Sequence, residues 1–297
     1  MMGKEFRQLR QLKKISLDKA CKGITSKSSL QRWENGQGEM SCGNLFKLLE
    51  RIHIQPKEFI DLVQPSTLNS YVEPLENAYK NNDVADLKNI AEFFLGLHYH
   101  DNNNRNMLFQ AAIACNYYMD FTNVNLMNEN DILRLKAYFL LIEEWDRENV
   151  FFFVNTQLLL SGIDVYKISR SLISYLVYDE TQQSRTYTMA ITTLINGIFV
   201  LLKKQEIDKA YDLFEKVRRL NFLDDFLNEK IKINYLKTVF HYLNTKDVKM
   251  MEKFLHDLDA IGLKDQADAF RLGFSQFKKI IDEWIETFVP YMKHNSI

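Results

Sequence analysis

Cysteine is scarce and odd in number. Cys21, Cys42 and Cys115 show no Cys-x-x-Cys spacing, which excludes a disulfide scaffold and a structural zinc site. Also missing are a His-Glu-x-x-His pair, a phosphate-cradling glycine loop and a Gly-x-Ser-x-Gly elbow. Catalysis therefore has no visible foothold, an enzyme is not expected, and no cofactor or metal is implied. His98, His100 and Asp101 do not change this, because positions two apart diverge around a helix, and they read as unliganded surface. No opening apolar stretch resembles a signal peptide. No apolar run approaches the roughly 18 residues that a bilayer span needs. The expectation is a soluble, cytoplasmic protein without a membrane partner.

Proline is the most informative scarcity. Only four occur, and none lies between Leu75 and Val289. A stretch that long, rich in Leu, Ile, Lys, Glu and Phe at spacings of three and four, predicts stacked helices. Pro65 and Pro74 bracket Ser66 to Ser70, which reads as a polar linker. The expected division is a head over 1–64, a linker over 65–74 and a body over 75–297.

The body carries an imperfect repeat. Asp83-Val84, Asp131-Ile132, Glu206-Ile207 and Asp247-Val248 each place an acid before a β-branched residue at the opening of an amphipathic stretch. Their spacing fits one helical hairpin per unit. The clearest copy, Lys204 to Lys216, resembles a tetratricopeptide helix, although no strict 34-residue consensus is present. The fold class expected is all-α: a five-helix head followed by a right-handed, TPR-like α-helical repeat array with a concave face.

Charge is balanced overall, with 38 Lys/Arg against 39 Asp/Glu, but it is unevenly placed. Through residue 65, twelve basic residues face seven acids, so the head carries +5 and the remainder −6. A basic head on an acidic body suits a chain that holds nucleic acid by one end.

Within that head, residues 24–36 form the segment Ile-Thr-Ser-Lys-Ser-Ser-Leu-Gln-Arg-Trp-Glu-Asn-Gly. Ser26 suits the N-cap of a short helix that leaves through Asn35-Gly36. Leu30 and Trp33, three apart, share the face that anchors it. Lys27, Ser28 and Ser29 form its polar leading edge, while Gln31 and Arg32 fall on the other side. Gln reads adenine and Arg reads guanine in the major groove. With Lys13 and Lys14 from the end of the first helix, these are the candidate contacts to double-stranded DNA. Ser16 and Ser41 suit further N-caps, and Pro56 suits the first turn of a fifth helix. Five short helices of this kind make a helix-turn-helix domain.

Residues 1–63 resemble the phage-repressor-like helix-turn-helix family over the segment from Thr25 to Gly36. That resemblance implies a structural ion pair between Arg10 and Glu34, with a phosphate contact as the other role open to Arg10. Trp33 departs from the aliphatic residue usual there. Joined to a helical array, and with the run Ile142-Glu143-Glu144-Trp145 through Val150 to Asn155, the whole chain resembles the Rgg/GadR/MutR regulators of Gram-positive bacteria. The resemblance implies a homodimeric transcription regulator whose repeat domain senses a short signalling peptide of the quorum-sensing type. Asn and Arg side chains suit an extended ligand, because they satisfy its amides and carboxylate. The candidates are Arg147, Asn149, Asn155, Arg185 and Asn196.

Several readings stay open. Phe151, Phe152 and Phe153 cannot share one face and read as core. Cys42, one residue past a helix cap, is either an idle thiol or half of an intersubunit bridge. The apolar side of 270–289 either covers the last repeat or meets a second subunit. A protein–protein adaptor with a vestigial head, and a regulator that needs no ligand, are the alternatives at the level of function.

Overall fold

The computed structural model describes residues 2–63, 72–178, 185–220 and 226–292, with side chains given except at 178, 185 and 280–292. Every regular element among them is helical. The chain divides into two compact units, Met1–Asp83 and Val84–Ile297.

The first unit holds α1 (Met2–Leu12), α2 (Leu17–Cys21), α3 (Lys27–Glu34), α4 (Cys42–Arg51), α5 (Pro56–Val63) and α6 (Val72–Lys80). Hydroxyl caps start three of these. Ser16, Ser26 and Ser41 accept the backbone N–H of Lys19, Ser29 and Asn44 at 3.3, 3.1 and 3.3 Å. Each supplies a partner for a donor that the helix itself leaves orphaned. Phe6, Leu30, Leu48, Leu49, Ile52 and Phe59 are fully buried and make the centre of the core. Each such side chain contributes roughly 1.5–3 kcal/mol on leaving water.

Of the expected linker, residues 65–71 lie outside the described residues. Residues 72–74 correct that expectation, because they form the first turn of α6. Pro74 fits there since the early N–H groups of a helix have no intrahelical acceptor, so its missing donor costs nothing.

In the second unit, α7 (Val84–His100) pairs with α8 (Arg105–Thr122), followed by α9 (Glu129–Leu140), α10 (Arg147–Val154) and a single 3-10 turn at Gln157–Leu159. Then come α11 (Gly162–Tyr178), α12 (Arg185–Lys203), α13 (Ile207–Val217), α14 (Leu227–Thr245), α15 (Lys249–Ala260) and α16 (Lys264–Met292). The repeat positions fall at helix openings. Val84 and Ile207 begin α7 and α13, Asp131 is the third residue of α9, and Val248 directly precedes α15.

Helix α12 packs against α10, α11, α13 and α14 and is the spine of this unit. Its residues Thr186–Lys203 have a mean hydropathy of 1.3 over 18 residues. That corrects the expectation that no stretch of spanning length exists. The apolarity follows from its position, since Ile191, Leu194, Ile195, Ile198 and Leu201 are fully buried among its neighbours. Phe152 and Phe153 are buried as well, with Phe152 stacked on Phe109 at 4.0 Å. In α16, Phe270 stacks on Tyr235 at 4.4 Å and Phe274 meets Tyr242 edge-on. Phe277 is half-buried, and the remainder of the expected apolar stripe, Ile281, Trp284, Ile285 and Phe288, lies beyond the described side chains.

His98 corrects another expectation. It is not on the surface but fully buried, with Nε2 3.1 Å from Asp131 Oδ1, though without the alignment of a hydrogen bond. Asp131 is held in turn by Arg134 and by the amide of Asn128. The side chain faces inward because it shares the buried face of α7 with Ala91 and Leu95, and α7 packs along α8.

Two packing features yield measurable expectations. The backbone of Gly3 approaches α3 so closely that a Cβ there would sit 1.9 Å from the Trp33 carbonyl oxygen. Gly3→Ala must therefore push α1 away from α3, with an expected loss of about 1–3 kcal/mol in denaturant titration of the head. Asp164, at the start of α11, accepts the Ser161 hydroxyl at 2.6 Å and the Lys136 ammonium at 2.9 Å. Burial opposes its charge, but those two partners outweigh burial and hold its carboxyl below the usual carboxylate range. Its stabilising effect is thus present above about pH 4 and is lost as pH falls through the lower folded value. Acid titration of Asp164→Asn should show a shallower loss of stability in that range than the parent.

Candidate nucleic-acid interface and ligand cavity

Helix α3 is anchored on one side only. Leu30 and Trp33 are buried, with the Trp33 ring 5.4 Å from Phe6. The Glu34 carboxylate takes a two-pronged grip from Arg10, Nε to Oε1 at 2.6 Å and Nη2 to Oε2 at 2.7 Å. Arg10 also donates to the Ile15 carbonyl at 2.8 Å. The side chains are 7% and 2% exposed, and the carboxylate hydrogen bond raises the Arg10 pKa against the opposing effect of burial. Arg10 thus ties α1, the turn after it and the end of α3 into one body.

The opposite side of α3 is open. Lys27, Ser28, Ser29, Gln31 and Arg32 are all exposed, as are Lys13 and Lys14. Ser26 Oγ lies within 3.0 Å of the Ser28 hydroxyl and donates to that of Ser29 at 2.8 Å, so the leading edge is a hydroxyl cluster. Lys27 donates to Asp18 at 2.8 Å, an exposed pair that raises its pKa first through the hydrogen bond and then through charge. Such pairs hold weakly in water and exchange readily for a phosphate. Sequence reasoning missed Arg51, whose Nη1 donates to the Lys19 and Lys22 carbonyls at 2.9 and 3.1 Å. A basic residue that closes the C-terminus of another helix leaves no local pattern.

Among the cysteines, Cys42 is exposed at the start of α4, while Cys21 and Cys115 are buried. Burial pushes the Cys115 thiol up to about 12, so it stays protonated and inert.

The second unit contains a cavity of about 240 Å3 lined by Asn116, Asp120, Val154, Gln157, Leu158, Asn196, Phe199, Val200 and Lys203. Of the four described side chains singled out for a peptide, it gathers Asn196 alone. Arg147 is exposed at the first position of α10. Asn149 is spent locally: its Oδ1 accepts the Tyr138 hydroxyl, its Nδ2 donates to the Glu144 carbonyl, and its backbone N–H donates to Asp146. Asn155 donates to the Phe151 carbonyl at 2.8 Å and so closes α10. The Arg185 side chain lies outside the described residues. Gln157, Asn116, Asp120 and Lys203 were not foreseen. In sequence, Gln157 is only a polar residue before Leu158-Leu159-Leu160, and the cavity joins residues up to 87 positions apart.

Residues 70–272 match the family model described as HTH-type transcriptional regulator Rgg, C-terminal domain. The chain belongs to the Rgg family. Every residue lining the cavity falls within that Rgg match. Solved structures share the fold at low identity. The SHP pheromone receptor Rgg2 of Streptococcus dysgalactiae is 19% identical with a TM-score of 0.69, over 93% of this chain and 99% of that one. A transcriptional regulator from Listeria monocytogenes EGD-e is 16% identical with a TM-score of 0.70, over 95% and 98%. PrgX, in its complex with cCF10, is 16% identical with a TM-score of 0.68, over 94% and 92%.

The buried fork makes a clear forecast. Arg10→Ala leaves the Glu34 carboxylate buried without its cation and should cost the head about 3–5 kcal/mol in urea unfolding. Replacing both partners with Met should cost far less, since no charge is then stranded.

Proposed function

We propose that this chain is a cytosolic transcription regulator that binds promoter DNA as a homodimer and responds to a short signalling peptide held by its repeat unit. The observation that carries the DNA half is the split character of α3: its inner side is locked by Leu30, Trp33 and the Arg10–Glu34 fork, and its outer side presents an exposed polar and cationic row. Gln31 and Arg32 read base edges, Lys27, Ser28 and Ser29 meet bases and phosphate at the leading end, and Lys13 and Lys14 hold the backbone. Two heads are needed because helix-turn-helix operators are two-fold, with half-sites one helical turn apart. Residues 1–64 are the DNA-binding module, and the helices from α7 onward are the sensing and dimerising module.

Support for the peptide half comes from family membership, from relatives described as pheromone receptors, and from a cavity with convergent amides and apolar walls. Arg147, Arg185 and Asn196 are proposed to contact the peptide, Asn196 inside the cavity and Arg147 outside it. Asn149 and Asn155 serve by shaping the ends of α10.

Selection from random duplexes, followed by titration at several salt concentrations, tests the DNA half. Binding should prefer one two-fold sequence and weaken steeply with salt. Lys13→Ala and Lys14→Ala should each reduce the salt slope by about one unit, whereas Arg32→Ala should cost about 1–3 kcal/mol and relax one base position. Equal affinity for scrambled and selected duplexes would refute the reading.

A further inference from the structure

Through residue 32 the chain carries nine Lys/Arg and two acids, Glu5 and Asp18. Glu5 is half-buried, so Asp18 is the fully exposed carboxylate of this stretch. It is committed to one cation. Lys27 Nζ donates to Asp18 Oδ2 at 2.8 Å, and among the described residues no other exposed Lys or Arg up to position 32 is held by an acid. Lys27 opens α3, while Asp18 is the second residue of α2, directly after the Ser16 cap and Leu17, so the pair bridges the openings of two helices. The carboxylate therefore stands at the same edge as Lys27, Ser28 and Ser29, which the reading above turns toward DNA.

A carboxylate and a phosphate ask the same thing of an ammonium, a charge-assisted N–H. The two side chains are 58% and 68% exposed, so nothing shields the pair from a second anion. When Lys27 turns to a phosphate it leaves Asp18, and the carboxylate then remains within the roughly 8–10 Å over which a like charge is felt in physiological salt. Both the lost pair and the new repulsion oppose binding. The Arg10–Glu34 fork differs in kind: it is buried, no phosphate reaches it, and its effect is on geometry alone.

We propose that Asp18 competes with DNA phosphate for Lys27, an autoinhibitory contact within the head that lowers its affinity for any duplex. Lys13 and Lys14, exposed and without an acid, meet phosphate unopposed, whereas Lys27 does so only after releasing its partner. Phosphates are alike in every sequence, so the restraint acts on the ionic part of binding and leaves base reading by Gln31 and Arg32 untouched. This assignment rests on the DNA-binding reading above.

The test titrates the full-length protein with a selected and a scrambled duplex at several salt concentrations. Asp18→Asn keeps the side-chain shape and removes the charge. It should tighten binding to both duplexes about two- to fivefold, with the salt slope steeper by about one unit. Asp18→Ser gives the same expectation and serves if the amide disturbs α2. Two comparisons separate competition from net charge. Asp61→Asn breaks another exposed pair, with Lys57 at 2.6 Å on α5, away from the proposed contacts, and should change affinity less than about 1.5-fold. In a Lys27→Met background, Asp18→Asn should likewise gain less than about 1.5-fold. An equal gain from Asp61→Asn, an undiminished gain without Lys27, a gain confined to the selected duplex, or no gain in either folded Asp18 variant overturns the competition and leaves the DNA reading intact. Failure of the parent to bind any duplex overturns that reading and this assignment together.

Discussion

A short helix can offer polar side chains to DNA only if its other side is held without slack, and the Arg10–Glu34 fork meets that constraint here. Helix α3 spans eight residues, too few to be stable by itself. Its geometry is borrowed from α1 through the fork, through the Trp33–Phe6 contact and through the close approach at Gly3. The pair adds little net stability, because two charges lose their water to make it. Its effect is to admit one arrangement of α3 on α1, and with it one placement of Gln31 and Arg32.

The second unit uses buried polar groups in a comparable way. Ser161 with Lys136 around Asp164, and Gln157 against Thr193, each tie separate segments at one point. Stacked helices with mostly apolar contacts slide at low cost, whereas a buried polar contact is satisfied in one register only. The turn at Gln157–Leu159 concentrates this effect, since bonds from α8, α12 and Lys204 converge on it.

Legibility in the sequence followed the range of the interaction. Caps at Ser16, Ser26 and Ser41 act over three residues, and the structure shows each bonded as its local pattern suggests. The anchoring face of Leu30 and Trp33 was readable from periodicity for the same reason. Pro74 was misread as a linker boundary because a proline in a first helical turn and a proline in a loop look alike in one dimension. His98 was placed on the surface because its partner, Asp131, lies 33 positions away. Asn149 and Asn155 were chosen for their chemistry, but short-range bonds had already consumed it.

The sequence by itself determined that this chain is helical throughout its described length, that it opens with a basic helix-turn-helix head, and that a degenerate repeat follows. Each of these depends on periodicity, capping and charge within a window of a few residues. Only the tertiary structure decided which polar side chains line a cavity and which histidine is buried. Those outcomes depend on how helices distant in the chain are brought side by side. A hydrogen bond across such a contact leaves no periodic trace in the order of residues.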